Sequence, residues 1–426
     1  MNLYNSKLNY LEKITDALER KINFLEKKSN KFSTYRLIVF VILALITLTG
    51  YLISKELGWV LTIISLLTFG ITVHCHNKLI MSIRKFQTFL QIKRTHICRM
   101  KIDWENIPEP IIHQSPDELS IGKDLDLFGK RSLHHLIDVS VSIEGSLLLR
   151  KWLTNFIPDY ETIFHRQRIV KELSSQTRFR DKFLLKAHLI SRKYLQCGKI
   201  LSWLSDSIEE RLPNWLFPVS IVFILIYLTL FILGILNLGI SGWFLVFIIY
   251  FFLYSSNQKK ISKIADESAE LEHQFKKFSF LISYIAGFNF KNSPGLNEFV
   301  NSSFGNKTGT LTKLKNLQKI TSALSLRENP VARLLLNIIF PYDVFYCNKL
   351  IKLKSELVHD IPVWLEKLNE LECYVSLANF SDINPDYVFP EIENNTKNIF
   401  ESIKLGHPLI KREHKICNDF SFTKQN

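Results

Sequence analysis

Apolar positions along this chain follow two patterns, and each predicts a different kind of helix. The first is a seam. Tyr4, Leu8, Leu11, Thr15, Leu18, Ile22 and Leu25 alternate spacings of four and three, with Lys and Glu on the outer face. Heptads of this kind predict a helix with one packing face, set against another chain or along a membrane surface. Ile261, Ile264, Ser268, Leu271, Phe275, Phe278, Ile282 and Ile285 repeat the spacing. A third helical stretch, Cys347 to Ala378, places Leu350, Leu353, Leu357, Leu368, Leu371 and Val375 on one face. Pro362 is expected to kink or split it, because proline lacks the amide donor and crowds the preceding turn.

The second pattern is continuous. Leu37–Ser54 runs for 18 residues without a charge, Lys55 and Glu56 interrupt it, and Leu57–Cys75 follows. Leu212–Gln258 holds no Asp, Glu, Lys or Arg in 47 residues, and turn-forming residues cluster at Asn237–Gly242. That predicts spans at about Trp215–Leu236 and Trp243–Tyr254, the latter extended by its flanks. Roughly 20 apolar residues cross a hydrocarbon core of about 30 Å as a helix. The expectation is four spans in two hairpins, with buried core helices as the alternative. The spans carry no charged side chain, which argues for an anchor rather than a transport pathway.

Charge fixes an orientation. Of the net +14, eight Lys/Arg lie in residues 1–36 and seven in residues 77–101, where there is no acidic residue. The links at 55–56 and 237–242 carry one base and none. Basic flanks stay cytoplasmic, so both hairpins should cross and return. This predicts a multi-pass protein of the cell (inner or plasma) membrane, with both termini and all soluble parts inside. The charge then says little about nucleic acid. An apolar fraction of 47% excludes a wholly membrane-embedded transporter and a disordered chain. Six scattered cysteines without a CxxC pair exclude a disulfide scaffold and a structural zinc module. Met1–Asn30 is polar, so no cleavable signal peptide is expected.

Candidate chemistry is sparse. Gly305-Asn306-Lys307-Thr308-Gly309, Gly122-Lys123 and Gly129-Lys130-Arg131-Ser132 lack the spacing of a phosphate loop. His134 and Asp138 would stand one helical turn apart, which reads as a surface ion pair; a membrane acyltransferase would rest on these two alone. His74-Cys75-His76 has no further ligand nearby and is expected in the headgroup region. There is no GxSxG turn and no HExxH helix. No catalytic residue and no metal ligand is assigned.

Residues 124–173 carry a resemblance. They read Asp124-Leu-Asp-Leu-Phe-Gly-Lys-Arg-Ser-Leu133, His134-His-Leu-Ile-Asp138, Glu144-Gly-Ser-Leu-Leu-Leu-Arg-Lys-Trp-Leu153 and Ile163-Phe-His-Arg-Gln-Arg-Ile-Val-Lys-Glu-Leu173. From the residues alone this is a helical hairpin. Gly145 near a helix start admits a close backbone approach, and Leu148, Trp152 and Leu153 supply the buried face. Four such elements in this order resemble the core domain of the MutS family of DNA mismatch repair ATPases. Leu405-Gly-His-Pro-Leu-Ile410 with Asn418-Asp419-Phe420 resembles the opening of that family's ATPase domain. The helices from 260 to 378, with Leu368-Asn-Glu-Leu-Glu-Cys-Tyr-Val-Ser-Leu-Ala378, resemble its core and lever helices.

The resemblance implies a fold class and a function. The fold is mainly α: a helical MutS-like core and lever domain interrupted by two transmembrane hairpins, with the first strands of an α/β ATPase domain at the C-terminus. The expected divisions are 1–35 (heptad helix), 36–76 (first hairpin), 77–211 (core, first part), 212–258 (second hairpin), 259–380 (core and lever) and 381–426 (start of the ATPase domain). It implies ATP-dependent binding of mismatched duplex DNA in DNA repair, as a homodimer on the lipid bilayer. ATP and Mg²⁺ are implied for the complete family member, but no Walker A loop or Walker B acid stands in these 426 residues. A truncation before the motor is expected, with neither cofactor binding well to this chain alone. Ile416 and Asn418 match positions on the adenine side of the family's nucleotide pocket. Phe24-Leu25-Glu26 and Phe389-Pro390-Glu391 match the mismatch wedge only by letters. The competing expectation is a non-enzymatic membrane scaffold acting through helical protein contacts.

Overall fold

A computed structural model describes residues 2–112, 122, 124–155, 159–191, 193–205, 212–236, 242–304, 307–392 and 398–423. Gly305, Asn306, Lys123, Pro158 and the turn at 237–241 lie outside the described residues. The fold is mainly helical, and the two strands among the described residues lie at the C-terminal end. The chain forms two units interleaved in sequence. One comprises Met1–Ile137, Arg180–Leu189 and Asn379–Asn426; the other comprises Asp138–Phe179 and Ile190–Ala378.

In the first unit, α1 (Asn2–Ile53) and α2 (Lys55–Lys101) form an antiparallel pair. The heptad seam and the first apolar run share one 52-residue rod. Ser54 alone breaks the helix, and its hydroxyl accepts the Leu57 amide to cap α2. The reversal is tight enough that a Cβ on Gly58 would meet the Tyr51 ring. The seam is covered from within: Leu11 packs on Met100 and Ile383, and Leu18 and Ile22 pack on Leu90. Glu12–Lys101 and Glu19–Arg94 ion pairs fix the register outside it. Beyond the seam the surface changes character, and Leu37, Leu45, Leu52, Trp59, Leu66 and Ile71 are all exposed.

The basic stretch 77–101 divides in two. Lys93 is buried against Asp181 at 2.6 Å, and Arg99 donates to the carbonyls of His135 and Leu136. With Arg94 and Lys101 paired to glutamates, Lys78, Arg84 and Lys85, next to the apolar run, are the exposed remainder. β1 (Asn398–Leu405) and β2 (Asn418–Thr423) pair antiparallel, Leu405 opposite Asn418.

The second unit is built by carboxylates at helix starts. Its elements include α4 (Ile143–Thr154), α5 (Tyr160–Ser175), α7 (Cys197–Ser205) and α12 (Pro294–Phe304); α3 (Leu133–Ile137) and most of α6 (Thr177–Ile190) belong to the first unit. Glu144 accepts the amides of Cys197 and Gly198 at 2.8 and 2.6 Å, capping α7. Glu172 accepts those of Gly295 and Leu296 at 3.0 and 2.8 Å, capping α12. Each satisfies amides that no helical carbonyl can reach and places a negative charge at a positive helix end.

The second heptad forms α10 (Gln258–Glu270) and α11 (Glu272–Gly287), broken at Leu271. Ile261, Phe275, Phe278, Ile282 and Ile285 are fully buried. They pack with α13 (Lys307–Ser325) and α15 (Tyr342–Leu357). The third stretch divides at Val358-His359, and Pro362 falls in the first turn of α16 (Asp360–Ile383), where its missing donor costs nothing.

Among the described residues, three helices are long and apolar enough to cross a membrane: Leu3–Ile53, Lys55–Lys101 and Leu216–Ile235. The last is α8, paired antiparallel with α9 (Trp243–Ser256) through Tyr227–Tyr250 and Phe231–Trp243 contacts. α9 has 14 residues, about 21 Å at 1.5 Å per residue, short of the ~30 Å hydrocarbon core. α14 (Pro330–Ile339) follows, at 91° to α15.

Candidate functional site

Glu372 is the centre of the most tightly specified site. It stands on α16, fully buried, and one oxygen accepts Val141 N at 3.1 Å, Ser142 N at 3.0 Å and Ser142 Oγ at 2.7 Å. Ser142 is the N-cap of α4, and its Oγ accepts the Gly145 amide at 2.9 Å. A Cβ on Gly145 would run into the Glu372 carboxylate and the Ser142 hydroxyl, so this glycine is required by close approach. Along the same two helices, Trp152 meets Tyr374 edge-on, and the Arg166 guanidinium lies 3.8 Å over the Trp152 ring.

Burial pushes the Glu372 carboxyl up to about 7, against the lowering effect of the Ser142 hydrogen bonds and of Lys277. Burial likewise pulls Lys277 down to about 8, with Glu372 opposing. The Lys277 ammonium donates to the carbonyls of Lys193 at 2.9 Å and Ser191 at 3.5 Å. It lines a cavity of about 330 Å³ with Ile190, His273 and Gln274. Glu372 holds a helix start and Lys277 holds a loop, so the chemistry they perform is positioning. Period could have revealed Glu372: it stands four residues after Leu368 and three before Val375, on the apolar stripe.

The residues singled out from sequence fall elsewhere. Ile416 is 80% exposed, and Asn418 opens β2 opposite Leu405. They share the β-ribbon with Gly406, where a Cβ would meet Cys417 Sγ at 2.7 Å and Lys415. His134 and Asp138 do not lie on the surface, where the spacing placed them: they are 0% and 8% exposed. His134 is fully buried on a helix that ends at Ile137, and Asp138 turns back to accept Ser140 N at 2.9 Å and Ser146 Oγ at 2.6 Å.

Gly129-Lys130-Arg131-Ser132 is a turn, with Gly129 at φ 91° and Ser132 Oγ donating to the Gly129 carbonyl. In the His74-Cys75-His76 triplet, His76 is buried, stacked on Phe32 and 3.0 Å from Ser29 Oγ, while His74 and Cys75 are exposed. Among the described residues no group of three His, Cys, Asp or Glu could hold a metal ion.

A second buried polar cluster has no signal in any one sequence segment. Asp343, 0% exposed, faces Arg327 at 3.3 Å and Arg333 at 3.7 Å and accepts the Tyr254 hydroxyl at 2.8 Å. Its members come from α9, the 3₁₀ turn Leu326–Glu328, α14 and α15. The chain matches no protein-family model, and neither a curated protein nor a solved structure matches it.

Proposed function

We propose that this chain is the membrane-anchored helical part of a MutS-like protein, with ATP-dependent DNA binding in DNA repair as the role the resemblance implies. One observation carries the reading. The two segments that bear the likeness, 124–173 and 260–378, are separated by the α8–α9 pair yet meet at the Glu372–Ser142–Gly145 contact. The residues that look like motifs are those that hold these helices together. In this reading α1–α2 and α8–α9 insert as two hairpins, and the exposed apolar surfaces of α1, α2 and α8 support it. DNA contacts would come from lysines on helix surfaces, and α13, which has four Lys and no acidic residue, presents Lys315 and Lys319 to solvent.

The test is duplex binding by the full chain in lipid nanodiscs, followed by fluorescence anisotropy from low to physiological salt. Affinity falling linearly on a log–log plot is expected, because each neutralised phosphate releases about 0.9 counterion. Absence of salt-dependent duplex binding removes the DNA half of the reading and leaves a membrane scaffold. That scaffold could not use the N-terminal seam as it stands, since α2 covers it.

A further inference from the structure

α14 is built inside out. Its polar side chains face protein: Arg333 lies 3.3 Å from the Tyr254 hydroxyl and 3.7 Å from Asp343. Asn337 is buried, its Oδ1 accepting the Asp343 amide at 3.1 Å and its carbonyl accepting the Tyr250 hydroxyl at 2.8 Å. The opposite face, Val331, Leu334, Leu335 and Ile339, is exposed at 55–66%. These four sit at i, i+3, i+4 and i+8, one continuous stripe. A water-facing helix has the reverse arrangement, so the medium over this stripe is apolar.

The neighbours of α14 say what that medium is. It packs along the first half of α8 and the second half of α9. Ile338 joins the cluster of Ile224, Tyr227 and Tyr250, and Phe217, the second residue of α8, contacts Phe340. Val222, Leu225 and Ile226 continue the exposed apolar surface along α8. The same end of the pair carries exposed Trp215 at the start of α8 and Tyr254 near the end of α9, with exposed Lys259 and Lys260 about a turn and a half beyond Tyr254. Aromatic residues backed by lysines mark the boundary between acyl chains and headgroups.

We infer that α14 is an interfacial helix: it lies at the bilayer boundary with Val331, Leu334, Leu335 and Ile339 in the acyl chains, and the buried Asp343 cluster fixes it to the body. Its occupant is lipid, and it widens the anchor from a pair of helices to a pair with a lateral foot. The inference rests on the reading that α8 enters the bilayer.

The test separates the two. In a full chain carrying Cys75→Ser, Cys98→Ser and Cys417→Ser, a single cysteine is placed at Leu335, at Leu225 on α8, or at Ser355 on the exposed side of α15. Each is labelled with an environment-sensitive fluorophore and reconstituted into phosphatidylcholine vesicles with or without brominated acyl chains. Bromine should quench the Leu335→Cys label to an extent comparable with Leu225→Cys, and leave Ser355→Cys unquenched. Quenching at Leu225→Cys without quenching at Leu335→Cys overturns the interfacial helix and spares the anchor. No quenching at Leu225→Cys overturns both. A Leu335→Cys label that is unquenched while the cysteine cross-links to a second copy assigns the stripe to self-association and also overturns the lipid assignment.

Discussion

The amino-terminal half of α1 and α14 are both amphipathic helices, and they are turned opposite ways. In α1, Leu11, Leu18 and Ile22 face protein, while Glu12 and Glu19 sit on the outside with lysine and arginine partners. In α14, Arg333 and Asn337 face protein and Leu334 and Leu335 face out. The first helix is held by burial of apolar area, the second by hydrogen bonds and ion pairs. The surroundings decide which: a helix turns its better-matched face to its solvent, and that solvent is water for one and acyl chains for the other. Polar burial recurs at Glu372, where a carboxylate instead of an aliphatic side chain closes the joint between α4 and α16.

The contrast can be broken most sharply at Asp343. Asp343→Ala leaves the buried Arg327 guanidinium and that of Arg333 without their shared partner. Breaking a buried pair in this way costs about 3–5 kcal/mol. A clearly lower unfolding midpoint of the full chain in detergent micelles is expected, and an unchanged one would show that ions do not hold α14.

Next in size is a pH effect at Glu372. Its folded value of about 7 lies above the ordinary 4.5, so the folded chain keeps a proton that the unfolded chain releases. Stability therefore falls as pH rises from about 4.5 to about 7, by on the order of 3 kcal/mol, and levels off above that. Lys277 runs the other way: its folded value of about 8 lies below 10.5, so stability rises between those pH values. Denaturant midpoints across pH 4 to 8 should lose the first slope in Glu372→Gln; persistence of that slope assigns it to another group.

Leu11→Ala tests the apolar helix. Its buried cluster is small, so the lower part of the Leu→Ala range applies, about 2–3 kcal/mol. Leu335→Ala, made in parallel, should leave the midpoint in micelles within about 0.5 kcal/mol, because that side chain contacts solvent rather than core. Equal effects would erase the distinction between the two helices. The smallest effect is sought at α13: Lys315→Ala with Lys319→Ala should flatten the salt slope of duplex binding by about 1.8, two phosphates' worth. An unchanged slope moves the DNA contacts elsewhere.

Helix content, the three heptad stripes and the long apolar runs were legible because each is periodic or continuous within one segment. The Gly145 approach was legible as well, though its partner was not. The His134–Asp138 spacing misled about exposure: both side chains are buried, and burial depends on neighbours remote in the chain. α14 escaped notice because it is only ten residues long, and hydropathy cannot say which face of an amphipathic helix is outward. The basic stretch 77–101 looked uniform, yet Lys93 and Arg99 are buried, since Asp181 and the carbonyls that take them up come from distant segments.

Sequence by itself determined which segments are helical and which are apolar enough for a membrane, because those properties are sums over neighbouring residues. Tertiary structure alone decided which face of each helix meets protein, that the α1 seam is covered by α2, and that Glu372, Lys277, Asp343, Arg327 and Arg333 are buried. These depend on partners remote in the chain, and a buried charge is stable only when such a partner is in place.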